Sequence, residues 1–451
     1  MKNQTVTLNI TDLTPEGFGV ARHGGKVVFV QNAAAGDIAE VLIVKELSSH
    51  CFGKITKLIT PSPDRAECDC GVYEKCGSCS LRHITYSAEL EIKRRSVEDA
   101  LSRIGGLDVT VHPTESGKSD CYRNKVQYPF GTIDGRAAFG YFSPRSHRLV
   151  PHGDCLLQDR NFYEIASKVL ELATESSISV YDEESAAGSL RHSRIRKSRA
   201  GEYMLCLVVT DIKNKKYPLL AKRLAEELPY VKSIYLNENK SRGNSVFGGK
   251  TLHIYGKEKL TDTLCGRTFC ISPESFYQVN SDMAERLFCK ARELAGLKPG
   301  EIVLDLYCGV GTVGLCIANG DNPLCGVEII PQAIEDARLN AGLCGRSEEN
   351  TLFVCGDASV GVAECKKHFG TPDLITVDPP RKGLEREVIM QTCAASPKRI
   401  VYISCNPATL ARDLAIFAEN GYFCSEATPF DLFPRTKHVE SVVCLKRQIQ
   451  Q

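Results

Sequence analysis

The sequence predicts an α/β protein: a Rossmann-like domain with a seven-stranded sheet, preceded by a small β-barrel and a mixed, β-rich central region. Three observations support this prediction. From about residue 270 onward, apolar strand-like segments alternate with helical ones, which is typical of a parallel sheet. Residues 4 to about 60 instead hold short alternating apolar runs between Gly-rich turns. A Pro-rich break at 60–65 separates the two patterns.

Length and composition limit the possible classes of protein. A chain of 451 residues is expected to form two or three domains. Its 56 basic and 55 acidic residues nearly cancel, so a nucleic-acid surface must come from local clusters of charge. No N-terminal apolar run and no stretch of about 18 apolar residues occurs, which predicts a cytoplasmic protein outside the membrane. Its 21 cysteines are then expected to be mostly reduced.

Three domains are predicted along the chain, at 1–60, 66–265 and 266–451. In the first, apolar residues alternate with polar ones within short strands. The second opens with a cysteine-rich segment. A helical pattern from Ser87 to Ile104 follows, interpreted as an exposed basic helix that ends at a Gly pair. It also carries a basic run at 191–199, which predicts an RNA-binding region.

The third domain contains the strands of the predicted parallel sheet. No obvious helix separates the last two of them, so an antiparallel strand at the sheet edge is expected. The predicted strands are 302–305, 324–328, 351–355, 373–378, 400–404, 422–427 and 439–445.

A glycine-rich loop follows the first of these strands. Gly309 and Gly311 allow a sharp turn after Asp305, and Glu328 closes the second strand about 20 residues on, where an acidic side chain can bind ribose hydroxyls. The third glycine of the dinucleotide-binding pattern is displaced by one position. The loop therefore favours S-adenosylmethionine over NAD as the cofactor.

Two further strands end in residues suited to catalysis. Asp378 begins an Asp-Pro-Pro-Arg turn, and Cys405 follows the apolar run 400–403, so both should lie at the ligand-binding edge of the sheet. A thiolate that adds to carbon 6 of a pyrimidine makes carbon 5 nucleophilic enough to accept a methyl group. Release then needs a base, and Glu440 is the nearest C-terminal carboxylate.

A compact set of cysteines predicts a metal site. Cys68, Cys70, Cys76 and Cys79 could bind zinc, whereas three of them with the distant Cys155 could hold an iron–sulfur cluster. Spacing leaves both alternatives open. Separately, residues 275–280 pair aromatic side chains with amides, as stacking on an extruded base and recognition of its edge require.

Together these segments resemble the RNA (uracil-5-)-methyltransferase family, specifically its iron–sulfur branch that modifies bacterial 23S ribosomal RNA. The resemblance covers nearly the whole chain. It implies that the N-terminal barrel is a TRAM domain, an OB-like RNA-binding module. It also implies a [4Fe-4S] cluster that organises the central domain, with Cys68 outside the ligand set and with the ligands Cys70, Cys76, Cys79 and Cys155.

The resemblance also implies a role for each residue of the active site. Cys405 corresponds to the nucleophile, Glu440 to the base, and Phe276 with Gln278 to the substrate-binding motif. Thr312 departs from the family pattern, because relatives often carry Asn there. The implied contacts to S-adenosylmethionine are Gln278, Tyr307, Thr312, Glu328, Asp357 and Asp378.

The expected function is therefore methylation of carbon 5 of a specific uridine in 23S ribosomal RNA by a monomeric enzyme. Transfer RNA is the alternative substrate. A radical methylthiotransferase also joins a TRAM domain to a cluster, but the usual three-residue gap between its first cysteines is absent, and the glycine loop argues against it. A non-catalytic RNA-binding protein is the second rival, and replacement of Cys405 separates it from the methyltransferase.

Overall fold

The first sixty residues form a single curved sheet. The computed structural model describes residues 1–144, 146–243 and 245–448. Strands β1 and β3 also contact each other, which brings distant parts of the sheet together around an apolar core. The sheet has the order β1-β5-β6-β4-β3-β2, with strands β1 Thr5–Asn9, β2 Asp12–Leu13, β3 Gly19–His23, β4 Lys26–Gln31, β5 Ile38–Glu46 and β6 His50–Thr60.

Helix α1 (Tyr86–Arg103) packs on the C-terminal half of the chain, so the prediction of an exposed helix is wrong. Its residues Val97 and Leu101 are buried in the same apolar core as the sheet of that half. Charged residues on its inner face are paired with each other and are buried as well. The next strand, β7 (Thr110–Val111), also joins the C-terminal sheet.

The central region is a six-stranded mixed sheet covered by two helices on one face. Its order is β15-β14-β13-β12-β8-β9, and only β13 and β14 run parallel among its described pairs. Its elements, with the separate hairpin β10–β11, are β8 Lys125–Ile133, β9 Arg136–Phe139, β10 Tyr141–Phe142, β11 Leu149–Val150, α2 Arg160–Glu175, β12 Leu190–Lys197, β13 Tyr203–Val209, α3 Lys216–Glu227, β14 Val231–Glu238 and β15 Lys250–Gly256.

The C-terminal region begins with a hairpin and continues as alternating strands and helices around a nine-stranded sheet. Two 3₁₀ turns, Glu348–Asn350 and Ala358–Val360, interrupt it. Its elements are β16 Leu260–Leu264, β17 Arg267–Ile271, α4 Ser281–Ala295, β18 Val303–Leu306, α5 Thr312–Ile317, β19 Leu324–Glu328, α6 Pro331–Leu343, β20 Thr351–Cys355, α7 Gly361–His368, β21 Leu374–Val377, α8 Arg386–Ala395, β22 Arg399–Ser404, α9 Pro407–Glu419, β23 Tyr422–Phe423, β24 Glu426–Phe430 and β25 Glu440–Arg447.

The antiparallel strand of this sheet is internal, which corrects the prediction of an antiparallel edge. The main order is β20-β19-β18-β21-β22-β25-β24-β7, so β25 lies between β22 and β24 and runs against both. The preceding strand β24 lies outside it, and β7 pairs with β24 in turn. As a result, β25 begins at the edge where the parallel strands end. None of the helices in the described ranges has the length and apolar character needed to cross a bilayer.

Candidate active site

One cavity at the carboxyl edge of the large sheet collects every predicted site residue outside the cysteine cluster. Its volume is about 650 Å³. Strand ends and the loops between them supply most of its lining, because parallel strands and their following loops meet at one edge of a sheet. The predicted residues that line it are Phe276, Gln278, Tyr307, Thr312, Glu328, Asp357, Asp378, Cys405 and Glu440.

The glycine loop is shaped by a buried carboxylate beneath it. Asp305 accepts hydrogen bonds from the Gly314 N–H at 2.8 Å and from the Thr376 hydroxyl at 2.6 Å. Gly309 and Gly311 adopt the left-handed conformation, with φ of 54° and 81°. Asp305 therefore ties the loop to the start of helix α5 and to the neighbouring strand, leaving the loop backbone exposed toward the cavity.

Two acidic residues line the neighbouring part of the cavity. The carboxylate of Glu328 accepts from the Gly309 N–H at 3.2 Å and from the Ile330 N–H at 3.0 Å, which fixes its orientation. Asp357 accepts from the Ser359 N–H at 2.9 Å, and this bond lowers the pKa of its carboxyl. Both side chains are thus held as acceptors where a ligand with hydroxyl donors could bind.

Ile329 and Ile330 line the same region and were missed by sequence reasoning. Their side chains are 64% and 56% exposed, which is unusual for isoleucine. They offer an apolar surface beside the two carboxylates, as a flat heterocycle with an attached sugar would require. Their position directly after Glu328 was the available signal.

Cys405 and Glu440 face each other across two neighbouring strands. Ser404 of β22 pairs with Ser441 of the antiparallel β25. The residues that follow and precede them, Cys405 and Glu440, are therefore brought together at the cavity. Glu440 is 6% exposed, whereas Cys405 is half-buried and accessible from the cavity.

The acidic groups of this region favour their protonated forms. Burial, followed by the charges of Glu440 and Asp378, raises the pKa of the Cys405 thiol to about 11, and Arg381 opposes the shift. Burial and then Asp305 raise the pKa of Asp378 to about 7. Burial and then Asp378 raise the pKa of Glu440 well above its usual range. Such perturbed groups in one cleft are typical of catalytic sites.

Arg381 adds positive charge to the cavity, and the neutral imidazole of His438 lies beside it. The Arg381 guanidinium lies 3.4 Å from His438 Nε2, and burial followed by the Arg381 charge lowers the pKa of His438 to about 4. The Asn406 side-chain amide donates to the Arg381 carbonyl at 3.0 Å, which joins the loop after β21 to the loop carrying Cys405. Sequence reasoning identified both residues only as neighbours of Asp378 and Glu440.

The loop before Glu440 includes residues 432–435. Their four successive backbone carbonyls accept hydrogen bonds from donors in different parts of the chain. This loop contributes Phe433 to the cavity, and it also leads to His438. In chain order the carbonyls accept from the Asn280 amide at 3.2 Å, the Lys93 ammonium at 3.3 Å, the Tyr122 hydroxyl at 3.1 Å, and the N–H groups of Ser80 and Leu81 at 3.0 and 3.1 Å. The cysteine-rich segment is thereby attached directly to the active-site loop.

The four cysteines predicted as cluster ligands lie near one another but are not arranged as a metal site. Burial raises the pKa of Cys155, and the thiols of Cys76 and Cys70 raise it further. Cys79 is also close enough for Cys155 to raise its pKa. Four cysteines in proximity are the kind of donor set that an iron–sulfur cluster uses, although the raised pKa values favour the neutral thiol over the thiolate that binds iron. In the described ranges, however, no group of three or more His, Cys, Asp or Glu side chains has the geometry to hold a metal ion.

Comparisons with known proteins find similar sequences along nearly the whole chain. The sequence profile of the tRNA (Uracil-5-)-methyltransferase family matches residues 367–448, and that of the TRAM domain matches residues 1–56. A Bacillus cereus protein described as an uncharacterized RNA methyltransferase is 40% identical over 451 residues, 99% of this chain and 97% of the relative. A similarly described Clostridium tetani protein is 38% identical over 446 residues, 98% and 96% of the two chains.

A solved structure matches along almost the whole length. It is the Pyrococcus abyssi tRNA (uracil-54, C5)-methyltransferase in complex with S-adenosyl-L-homocysteine. The TM-score is 0.77 at 28% sequence identity, and the match covers 97% of this chain and 99% of that chain. The similarity therefore includes the arrangement of all three regions, and it extends beyond the sheet that carries the cavity.

Proposed function

The chain belongs to the RNA uracil-5-methyltransferase family with an N-terminal TRAM domain, and from this premise we propose that it methylates carbon 5 of a specific uridine in 23S ribosomal RNA. The observation that supports the proposed chemistry most directly is the position of Cys405 opposite Glu440 in one cavity. A thiol and a carboxylate on the two sides of a bound pyrimidine provide the nucleophile and the base that methylation of carbon 5 needs.

Glu328 and Asp357 are proposed to bind the methyl donor. Their fixed acceptor oxygens suit ribose hydroxyls, and the exposed Ile329 and Ile330 suit the adenine face. When bound, S-adenosylmethionine supplies a methyl group on a positively charged sulfonium. Tyr307 and Thr312, on the glycine loop and at the start of helix α5, line the same cavity.

In the proposed reaction, Cys405 gives up its proton and its sulfur forms a bond to carbon 6 of the uracil. The carbon 5–carbon 6 π electrons move toward carbon 4 and its oxygen, forming an enolate. Asp378, whose pKa is raised to about 7 by burial, is suited to receive the thiol proton near neutral pH. Carbon 5 of the enolate takes the methyl group as the bond from that group to the sulfonium sulfur breaks, and the electron pair stays on sulfur to leave a neutral thioether. The ionised carboxylate of Glu440 then removes the carbon 5 proton. The double bond re-forms, and the carbon–sulfur bond breaks to release the Cys405 thiolate.

Phe276 and Gln278 are proposed to receive the extruded base. Phe276 lies at the cavity mouth with its ring 65% exposed, which leaves a face free for stacking. Gln278 is 8% exposed, and its side-chain amide can bind a base edge as both donor and acceptor. A base must leave its helix to reach this site, so an unpaired or weakly paired uridine is the expected target.

Transfer RNA is the second candidate substrate. It is favoured by the similarity of the whole chain to the Pyrococcus abyssi enzyme, which acts on uracil 54 of tRNA. The proposed chemistry is the same for both RNAs. Only the contacts made outside the cavity would distinguish them, so the two candidates need a direct comparison.

The test uses RNA that contains 5-fluorouridine. Because fluorine cannot leave as a proton, the enzyme should remain covalently bound to the methylated base and form a denaturation-resistant adduct on a gel. The adduct should disappear in Cys405→Ala. It should persist in Cys424→Ala, a matched control in which burial also raises the thiol pKa to about 11. Adducts with ribosomal RNA support the first proposal, adducts with tRNA alone support the second, and no adduct with either contradicts the chemistry.

We propose in addition that Cys70, Cys76, Cys79 and Cys155 hold a [4Fe-4S] cluster. Such a cluster, when bound, would supply a rigid link between segments that are far apart in sequence. Anaerobic purification should yield protein with visible charge-transfer absorbance and stoichiometric iron and sulfide. Cys79→Ser should lose this absorbance, whereas the exposed Cys121→Ser should keep it. Zinc without iron in the wild-type protein would contradict the proposal.

A further inference from the structure

Three basic residues share one face of the central sheet at close range. Lys125 of β8 pairs directly with Arg196 of β12, and Arg194 lies two residues along the same strand. Side chains directly opposite each other in an antiparallel pair are near neighbours, and like charges there are destabilising. The sheet therefore holds a cluster of positive charge at a cost in folding free energy.

Few carboxylates lie near this cluster, so most of its positive charge is not neutralised. Burial, followed by the charges of Arg194, Arg196 and Arg123, lowers the pKa of Lys125 to about 7. Glu274 offsets part of the charge of Arg194. Within the part of the chain that the structure describes, the buried Nε atoms of Arg194 and Arg196 have no hydrogen-bond partner. Arg194 as a whole remains partly exposed, so an anion can approach its guanidinium group, whereas Arg196 is only 3% exposed.

The cluster lies beside the mouth of the active-site cavity. An Arg196 Nη donates to the carbonyl of Ser275, the residue before the cavity-lining Phe276. Asn124, the residue before Lys125, donates through its side chain to the Gln278 carbonyl at 2.9 Å. These two contacts connect the basic cluster on the sheet to Phe276 and Gln278, the two residues proposed to receive the extruded base.

At its other end, the same sheet face leads to a second cavity. Gln127 and Pro129 of β8, together with His192 of β12, continue the row and line a space of about 450 Å³. Tyr141, Phe142 and Tyr181 contribute aromatic rings to this space. The five residues from His192 to Arg196 span roughly 13 Å along the strand. The face thus combines cationic and aromatic groups in the way that single-stranded nucleic acid requires.

We infer that the partly exposed Lys125 and Arg194 bind phosphodiester groups of the RNA next to the target uridine, and that an unpaired neighbouring base enters the aromatic cavity beyond them. Arg196 is only 3% exposed and adds its positive charge from behind these two residues. The inference rests on the proposed function, since it names where the substrate of that active site is held. Phosphate would offset the like charges and accept hydrogen bonds from Lys125 and from the guanidinium group of Arg194. The RNA would thereby be positioned so that one uridine reaches Phe276.

The test compares Lys125→Met with Lys213→Met. Lys213 is exposed before helix α3, which covers the opposite face of the central sheet. Binding of a labelled single-stranded RNA of about 20 nucleotides is measured at several salt concentrations. Lys125→Met should bind on the order of tenfold more weakly, with the slope of log affinity against log salt reduced by about 0.7. Lys213→Met should match the wild type. Arg194→Gln should behave as Lys125→Met does.

Thermal unfolding separates a binding role from a structural one. Removal of a like charge should leave the melting temperature of Lys125→Met unchanged or higher, whereas a structural lysine would lower it. The inference is overturned by a lower melting temperature, by RNA affinity and salt slope equal to the wild type, or by equal weakening in Lys213→Met. If a polyglutamate peptide lost affinity while RNA did not, the site would belong to an acidic protein partner instead.

Methyl transfer by the wild-type protein is measured separately. Wild-type methylation with unimpaired RNA binding by Lys125→Met rejects this inference and leaves the proposed function in place. Weakened RNA binding by Lys125→Met, together with no methylation by the wild-type protein, would support the RNA-binding site and reject the proposed function. The two failures are therefore distinguishable.

Discussion

Lys93 and Asp431 are joined by a buried ion pair of 2.6 Å although they are 338 residues apart in the chain. Lys93 also donates to Glu89 at 2.7 Å, and all three side chains are at most 1% exposed. Asp431 begins the loop that leads to Phe433 and Glu440. Helix α1, which precedes the central sheet in the chain, therefore helps to hold the loop before the proposed catalytic base.

Replacing Lys93 with Met is expected to destabilise the protein by about 3–5 kcal/mol, because two buried carboxylates would lose their shared cation. Chemical denaturation measures this free energy of unfolding. Arg94→Met is the control on the same helix, since Arg94 makes ion pairs with the exposed Glu91 and Glu98 and should change stability by less than about 1 kcal/mol. Equal effects in the two variants would contradict a special role for the buried pair.

Glu440→Gln should lower methyl transfer by on the order of 10²–10⁴-fold, since an amide cannot remove the carbon 5 proton. Bond formation by Cys405 does not require this base. Ordinary uridine-containing RNA should therefore accumulate as a covalent adduct with the variant, detectable by mass after denaturation. Rapid turnover by the variant, or loss of the adduct along with turnover, would mean that Glu440 is not the base that releases the product.

Asp378→Asn should raise the melting temperature at pH 8 by on the order of 2 °C. Burial raises the pKa of Asp378 to about 7 in the folded protein, above the value near 4 expected in the unfolded chain. Between these values the folded state binds the extra proton, so wild-type stability falls as the pH rises. The difference between variant and wild type should narrow as the pH is lowered from 8 to 5. A constant difference across this range would show that ionisation of Asp378 does not destabilise the folded state.

Glu328→Gln should weaken binding of S-adenosylmethionine by about 10–100-fold, because a charged acceptor for ribose hydroxyls is replaced by a neutral one. The remaining amide oxygen can still accept one of the two N–H groups that Glu328 binds now. The loop should therefore keep its shape, and RNA affinity should match the wild type. Calorimetric titration with the cofactor measures the effect, and unchanged cofactor affinity would remove Glu328 from the proposed site.

A residue of the cavity could be predicted from the sequence if it directly follows a recognisable apolar strand. Asp378 and Cys405 are of this kind, because strands of a parallel sheet end at one edge. Arg381 and His438 lie in loops without such a signal, and their closeness depends on how two loops fold together. Their contribution was therefore visible only in the structure.

Two fold predictions failed for physical reasons that the pattern of residues does not reveal. Strand periodicity indicates which side of a strand is buried but not which strand is its neighbour, so the internal position of β25 could not be predicted. Helix α1 is rich in charge, and charge ordinarily indicates exposure. Its Glu89 and Lys93 form an ion pair in the interior, so the charge of the helix did not indicate that it is exposed.

The hydrogen bonds to the four carbonyls of residues 432–435 limit which parts of this enzyme can be exchanged with those of a relative. Their donors come from the cysteine-rich segment, helix α1, the start of the central region and the segment before α4. The methyltransferase sheet is thus not a transferable module. A chimera that exchanged only this sheet with a relative's would need residues 80–122 from the same parent to keep the active-site loop in place.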